Sequence, residues 1–503
     1  MVLSALEPKA FFKHFEAISQ IPRGSGNEKT VSDYVTAFAR GLGYEVVQDG
    51  LMNVIIYKPA SAGYEDKPSI ILQGHLDMVC EKNAGTEHDF MKDPLQLYIN
   101  GDFVKAKGTT LGADNGTAVA ICMALLEDKS LPHPALEMIL TVEEEVGMAG
   151  AEGLDASLLT ATRMINLDSS EENIITIGCA AGVTVEYNLP LTRQIIDGEG
   201  SSKQPLNETN EGTEGMPPLQ SPSAFTLTVK GLHGGHSGAD INKGRGNANV
   251  ILGCVLTALE KDCGIRLAEI KGGMKLNAIP REAAADFVVS AGHAGKIAAC
   301  VEEYARSFGG MYKDADPGLA ITCVPTDPPE CVFSQDCSDK VITSLLLLPN
   351  GVQVMSDEIP NLVAASCNVG VVETAENHVR ISCFPRGASK EYLAGMERQI
   401  RELAARTGAE TRFIERSPAW AYNPESRLLK TVVETYERLN NTEPVVTALH
   451  AGLECGILAE KLPGLDIVSL GPDTFDLHTP DERLSISSAQ RVWKFILALL
   501  EAL

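Results

Sequence analysis

Ile70-Ile71-Leu72-Gln73-Gly74-His75-Leu76-Asp77-Met78 is a short apolar run that stops at a glycine, with a histidine and an acid following two residues apart. Apolar runs of this length bounded by turn residues form buried strands. Open α/β sheets place their ligands at the carboxyl ends of such strands, which is where His75 and Asp77 fall. Asp77 could accept a hydrogen bond from the second nitrogen of the His75 ring. That bond fixes the tautomer and makes the histidine a better metal ligand. A single His-x-Asp on a strand end is more often a surface loop, and it is recurrence down the chain that changes the reading.

The pattern does recur. Lys107 to Gly116 brackets Asp114 with glycines and runs at once into a helical segment, Thr117 to Asp128, whose Val119, Ile121, Cys122, Leu125 and Leu126 are apolar. There Asp114 serves either as a cap of that helix or as a ligand. Leu136 to Val142 is a strand that empties into Glu143-Glu144-Glu145-Val146-Gly147. On a surface such carboxylates are a solvated charge run. Directly after a buried strand they mark a place where a cation offsets their repulsion. Met164 to Leu167 ends in Asp168. Endings of this kind on one edge of a parallel sheet make a carboxylate-rich metal pocket. His478, after the apolar strand Leu465 to Leu470 and a glycine turn, adds a partner from the far end of the chain.

At 503 residues the chain is long for one domain, and two is the starting expectation. Hydrophobic residues make up 44%, enough for buried cores. The net charge of −25 argues against nucleic acid or an anionic membrane as partner, because both need basic surface. No apolar run approaches the ~20 residues of a membrane helix. Met1 to Ala10 contains Glu7 and Pro8, lacks an apolar core, and so reads as no secretory signal. The 12 cysteines form no C-x-x-C pair, which leaves a zinc ribbon or redox motif unsupported. They are expected as reduced, mostly buried thiols in a cytoplasmic protein.

Periodicity puts helices at Pro8 to Ile18 and Glu28 to Arg40, and strands at Val46-Val47 and Asn53 to Tyr57. Composition changes near Gly182. Residues 197–223 run through Gly, Ser, Glu, Asn, Thr and Pro with little apolar content and read as a mobile surface insertion. Phe225 to Val229 resumes as a strand and leads to His233-Gly234-Gly235-His236-Ser237-Gly238; strands and helices then alternate as far as Cys383. The expected fold is α/β. A mixed, mostly parallel sheet with helices on both faces is built from residues 1–181 and 391–503, and an α+β domain, residues 182–390, is inserted within it.

Two histidines and several carboxylates suit two divalent ions better than one. A structural zinc site is closed by four ligands rich in cysteine, and this set has none. Imidazole with carboxylate fits catalytic zinc, cobalt or manganese. Two metals ~3.5–4 Å apart need a bridging carboxylate and hold a water that attacks a carbonyl. One carboxylate must stay off the metals to take that water's proton. The glutamate triplet can supply both a ligand and a base.

Gly74-His75-Leu76-Asp77-Met78-Val79, Gly112-Ala113-Asp114-Asn115-Gly116, Thr141-Val142-Glu143-Glu144-Glu145-Val146-Gly147, Asn166-Leu167-Asp168-Ser169, Gly234-Gly235-His236-Ser237-Gly238 and His450-Ala451-Gly452-Leu453-Glu454-Cys455-Gly456 stand in this order. Together they resemble the M20 family of dinuclear zinc peptidases, in particular its aminoacyl-histidine dipeptidase branch. The resemblance covers nearly the whole chain, apart from 197–223. It implies a zinc-exopeptidase-like catalytic domain and an inserted lid and dimerisation domain. Asp114 would bridge two zinc ions, with cobalt or manganese as substitutes; His75 and Asp168 would complete one site, Glu145 and His478 the other. Asp77 would orient His75, and Glu144 would be the general base. A cis peptide is implied between Asp114 and Asn115. From the lid, His236 would stabilise the oxyanion and Arg386 would hold the substrate carboxylate. The implied activity is a metallo-dipeptidase acting on short peptides, Xaa-His among them, as a homodimer joined through the lid. Alternatives are an N-acyl amino acid deacylase, a carboxypeptidase, or a metal-binding relative without catalysis. The last is opposed by the retention of all seven metal-site positions. The chain departs from the family pattern at Glu143, where aspartate is usual, at Gly387-Ala388 after Arg386, and at Phe475-Asp476-Leu477 before His478.

Overall fold

The strand Ile70–His75 is buried at every position, and a strand buried on both faces belongs inside a sheet. The computed structural model describes residues 2–196, 202–203 and 222–503. The chain forms two compact units. The first comprises residues 1–179, 420–448 and 453–503; the second comprises 180–419 and 449–452.

In the first unit an eight-stranded sheet runs in the order Glu45–Gln48, Val54–Lys58, Leu136–Thr141, Ile70–His75, Arg163–Asn166, Asp466–Ser469, Ile174–Cys179, Val445–Leu449. The four central strands are parallel. Antiparallel pairs flank them on both sides. The sheet is therefore mixed, with its parallel part in the middle. Ile71, Ile139, Met164 and Ile467 share a cluster with Cys455 and Leu458 of the helix Glu454–Lys461. Side chains alternate along a strand, so Gly74 faces the other side. There it meets Asn115 and Ala118 of the helix Ala113–Glu127. Helices thus cover both faces.

The expected helices form at Lys9–Ile18 and Lys29–Gly41, and the strands before the His75 motif at Glu45–Gln48 and Val54–Lys58. The helix expected from Thr117 begins earlier, at Ala113, although Asp114 and Asn115 themselves are not helical. A hairpin not expected from the sequence, Leu97–Asn100 with Phe103–Ala106, pairs with Arg483–Ser485, which pairs in turn with Thr474–Phe475. His478 lies in the loop between these last two strands.

The second unit carries a nine-stranded antiparallel sheet, ordered Ala320–Thr326, Pro222–Lys230, Ala283–Ser290, Arg266–Gly272, Val363–Thr374, His378–Gly387, Ala181–Pro190, Glu410–Ser417, with Gly351–Met355 also on Val363–Thr374. Helices Ala248–Cys263, Gln335–Leu347 and Lys390–Thr407 bury Val255, Leu345 and Ile400 in one cluster with Val185, Tyr187, Phe287 and Ile381. The return to the first unit falls after residue 419, not at 391 as expected. The cause is Glu410–Ser417, which pairs with Ala181–Pro190 (Val185 opposite Phe413) and keeps the preceding helix with it. The insertion expected at 197–223 lies outside the described residues except for two short pieces. Ser202–Lys203 pairs with Arg193–Ile196, and Pro222 and Ser223 already belong to a strand.

Candidate active site

Three parallel strands lie side by side, Leu136–Thr141, Ile70–His75 and Arg163–Asn166, and each delivers acids or a histidine just past its carboxyl end. His75 is the last residue of its strand and is buried. Its Nε2 lies 3.0 Å from Asp114 Oδ1 and 3.5 Å from Asp168 Oδ1, and its Nδ1 lies 3.2 Å from Asp77 Oδ1. His478 Nε2 lies 3.3 Å from the other Asp114 oxygen, Oδ2, and 3.2 Å from Glu145 Oε1. Asp114 thus turns one oxygen to each histidine. The ligand-competent groupings are His75 with Asp114 and Asp168, Asp114 with Glu145 and His478, and His75 with Glu144 and Glu145. All seven residues singled out in the sequence meet in this one cluster.

Asp114 enters through a cis peptide to Asn115, as the resemblance implied. Asn115 ties that entry to two strand ends: its Oδ1 accepts from the His75 N–H at 3.2 Å, and its Nδ2 donates to Leu167 O at 2.9 Å. Gly112, at φ +66°, precedes the helix where an added Cβ would meet the Arg23 guanidinium. The glutamate triplet turns sharply. Glu143 sits at φ 54° and Met148 at φ 62°, and Asn53 bridges Val142 and Gly150 on either side of the turn.

Asp77 is fully buried and holds more than the histidine. Its carboxylate accepts from Ser25 Oγ at 2.8 Å, from the Glu144 N–H at 3.1 Å and from the Glu145 N–H at 3.2 Å. Burial works against the charge, but the His75 ring and these donors win and draw the Asp77 carboxyl down to about 2. Asp114 is likewise drawn down, against burial, by its bonds to His478 and His75, whereas two neighbouring acids behave in the opposite way. Burial, reinforced by Asp114 and Glu145, pushes Asp168 up to about 7. Burial, with Asp168, Glu454 and Glu145, pushes Glu144 well above the ordinary carboxylate range. The bonds to Asp114 and Glu145 lift His478 to about 10. A set of carboxylates that raise one another in this way has more negative charge than its histidines offset. Imidazole and carboxylate donors without thiolate are those that divalent zinc, cobalt or manganese accept. The residues present therefore fit divalent cations.

Several supporting residues carried no signal in the sequence. Glu482 accepts the backbone N–H groups of Leu111, Gly112 and Ala113 at 2.7–2.9 Å, and that of Asp114 at 3.4 Å. It receives the amides of the loop that carries Asp114. Arg23, buried, donates to the carbonyls of Leu76 and Asp77 at 2.9 Å and to that of Gly112. No spacing rule links these positions, which lie 371 and 89 residues from their partners.

The two remaining expected residues belong to the second unit. His236 Nδ1 accepts from the backbone N–H of Ala239 at 3.0 Å. The ring proton therefore sits on Nε2, leaving a neutral donor, and burial beside Arg386 lowers the His236 pKa and favours that form. Arg386 is buried and lies over the Phe384 ring at 4.4 Å. Among the described residues no carboxylate pairs with it, and its Nε has no acceptor. Burial brings its pKa down to about 10. His450, in the same unit, bonds Ser366 Oγ at 2.7 Å. Gly238 has room only for hydrogen between the His450 carbonyl and the His236 ring.

Residues 71–502 match the family described as peptidase family M20/M25/M40. The chain is 38% identical over 502 residues to the cytosol non-specific dipeptidase of Escherichia coli, covering 99% of this chain and 98% of that one. It is 36% identical to the aminoacylhistidine dipeptidase of Vibrio alginolyticus, whose crystal structure it matches at a TM-score of 0.89 over 100% of this chain and 98% of that one. The aminopeptidase PepT of Bacillus cereus shares the fold at a TM-score of 0.55, with 15% identity over 99% of each chain. With its motifs in order and its length covered end to end, the chain belongs to peptidase family M20/M25/M40.

Proposed function

We propose that the chain is a metal-dependent dipeptidase that holds two divalent ions, zinc or in its place cobalt or manganese, and cleaves dipeptides including Xaa-His. The observation that carries this reading is Asp114, whose two carboxylate oxygens face two different histidines, each with a further carboxylate beside it. That is the donor pattern of a bridged pair. The substrate class rests on the dipeptidase names of the Escherichia coli and Vibrio relatives, similar to this chain over their full length.

His75 and Asp168 would hold one ion and Glu145 and His478 the other, with Asp114 offering one oxygen to each. Bound there, two divalent ions would supply Lewis acidity toward the scissile carbonyl and an acidified water, with a pKa of ~7. Glu144, not needed to complete either site, takes the proton of the attacking water and passes it to the leaving amine. Asp77 fixes the His75 ring and, through two backbone N–H groups, the start of the Glu144-Glu145 turn. His236 Nε2–H donates to the oxyanion as a neutral group, so it need not lose or gain a proton as charge develops. Arg386 takes the substrate's terminal carboxylate as a bidentate pair, which limits the chain beyond the cut. The second unit acts as the lid and joins two copies into a homodimer. The twelve free cysteines fit a cytoplasmic protein, and among the described residues no helix is long and apolar enough to cross a membrane.

Metal analysis alongside hydrolysis of a substrate panel tests this. The panel comprises β-alanyl-histidine, alanyl- and glycyl-dipeptides, tripeptides and N-acetyl amino acids, before and after chelation. Two metals per chain with chelator-sensitive dipeptide cleavage is the expected result. Two metals with cleavage only of N-acetyl amino acids would replace the dipeptidase by a deacylase. No metal and no cleavage would remove the site.

A further inference from the structure

One pleat below the ligands, on the same face of the sheet, lies a row of polar side chains. Gln73, Asn166 and Ser469 are in register across three neighbouring parallel strands. Thr141 stands beside His75 on the fourth. Side chains two residues apart share a face, so Gln73 lies directly under His75 and Asn166 under Asp168. The row is joined internally. Asn166 Nδ2 donates to Gln73 Oε1 at 2.5 Å, Ser469 Oγ donates to Asn166 Oδ1, and the Asp168 N–H donates to the same oxygen at 3.3 Å.

Glu454 closes the row from the opposite layer. It is the first residue of the helix Glu454–Lys461 and is 1% exposed. Its Oε2 accepts from Gln73 Nε2 at 2.6 Å and from Thr141 Oγ1 at 2.7 Å. Its Oε1 is buried without a hydrogen-bond partner among the described residues. A buried anion left half-bonded beside Asp77, Asp168 and Glu144 would be costly. Burial, with the nearby acids, pushes its carboxyl up to about 8.

We propose that Glu454 is a positioning residue: as the single acceptor shared by Gln73 and Thr141, it sets the spacing of the strand ends that present His75, the glutamate triplet and Asp168, and so sets metal affinity. This rests on the metal site of the proposed function. Outer residues that orient ligands are worth about 10–100-fold in metal affinity. A purely structural role would lower stability without this selective effect on binding.

The test is zinc titration of the full-length chain, wild type, Glu454→Ala and Glu454→Gln, against a competing chelator, with thermal unfolding of each metal-free protein. The amide oxygen of glutamine can accept the same two donors without charge. The alanine variant is expected to bind zinc about 10–100-fold more weakly, and the glutamine variant to stay within about threefold of wild type, with similar metal-free midpoints. Alanine binding within twofold of wild type would overturn the proposal. So would a glutamine variant as weak as the alanine one, since charge would then be what matters. Should the alanine variant not fold, Thr141→Val removes one donor and keeps the acid; zinc affinity unchanged in that variant overturns the proposal equally. Wild type that binds no zinc, cobalt or manganese would instead remove the site on which the proposal rests.

Discussion

Gly74→Ala tests how closely the site depends on its packing. A Cβ at position 74 would lie 2.3 Å from Asn115 Oδ1 and 2.4 Å from Ala118 Cβ. Non-bonded carbons settle ~3.5–4.0 Å apart, so the start of the helix Ala113–Glu127 must retreat by about 1 Å. Both neighbours are buried, so neither can swing into solvent. Overpacking of this kind costs about 1–3 kcal/mol. Loosening the bond from the His75 N–H to Asn115 adds about 1 kcal/mol. The larger effect is on geometry. Asp114 directly precedes Asn115, so its 3.0 Å approach to His75 opens with the helix. A misplacement of ~1 Å in a catalytic constellation costs ~10²-fold. The assay is kcat/KM on an alanyl dipeptide at saturating zinc, with metal content and the metal-free thermal midpoint measured in parallel. The expected variant is folded, a few degrees less stable, and down by about two orders of magnitude. Activity within threefold of wild type with two metals bound would refute this reasoning.

Glu144→Gln should lower kcat by ~10²-fold or more with metal content unchanged, as loss of a general base requires; metal analysis and steady-state kinetics check it. Asp77→Asn should weaken zinc binding about 10–100-fold. Because the folded-state pKa of Asp77, about 2, lies below its ordinary 3.8, the stabilisation it brings, about 2 kcal/mol, is full above pH 4 and lost as pH falls through 2. Urea unfolding of the metal-free proteins should therefore show the gap between Asp77→Asn and wild type narrowing below pH 4. Arg386→Met should cost about 1.5–3 kcal/mol of binding to the substrate carboxylate, seen as a raised KM for dipeptides and little change for dipeptide amides.

The strand ends were legible because each acid follows an apolar run directly, and register then fixes where it points. His75, Asp168 and the glutamate triplet come from adjacent parallel strands. The hairpin Leu97–Asn100 and Phe103–Ala106 was not legible, since three of the first strand's four residues are exposed and carry no apolar period. Glu410–Ser417 escaped for a related reason. It lies at the end of its sheet and carries Glu410, Arg412, Glu415 and Arg416, a composition suited to an edge that reads as loop. Missing it moved the expected boundary to 391. Glu482, Arg23 and Glu454 act through contacts with residues 371, 89 and 381 positions away, and no local pattern encodes a partner at that distance. His450 stood in a recognised motif, but its bond to Ser366 depends on tertiary packing.

The order of strands also bears on how the molecule is made. Arg163–Asn166 and Ile174–Cys179 are neighbours in the chain, yet Asp466–Ser469 lies between them in the sheet. During synthesis the sheet therefore carries an open slot at its middle while about 290 further residues emerge, which at ~5–20 residues per second is ~15–60 s. The slot exposes two unpaired strand edges, a template for association with other chains. Four of the five proposed metal ligands have left the ribosome by then, and His478 follows only after the slot is filled. Divalent metal added to a nascent chain stalled before residue 466 would meet an incomplete site, so full loading would report that translation had reached the end of the sheet.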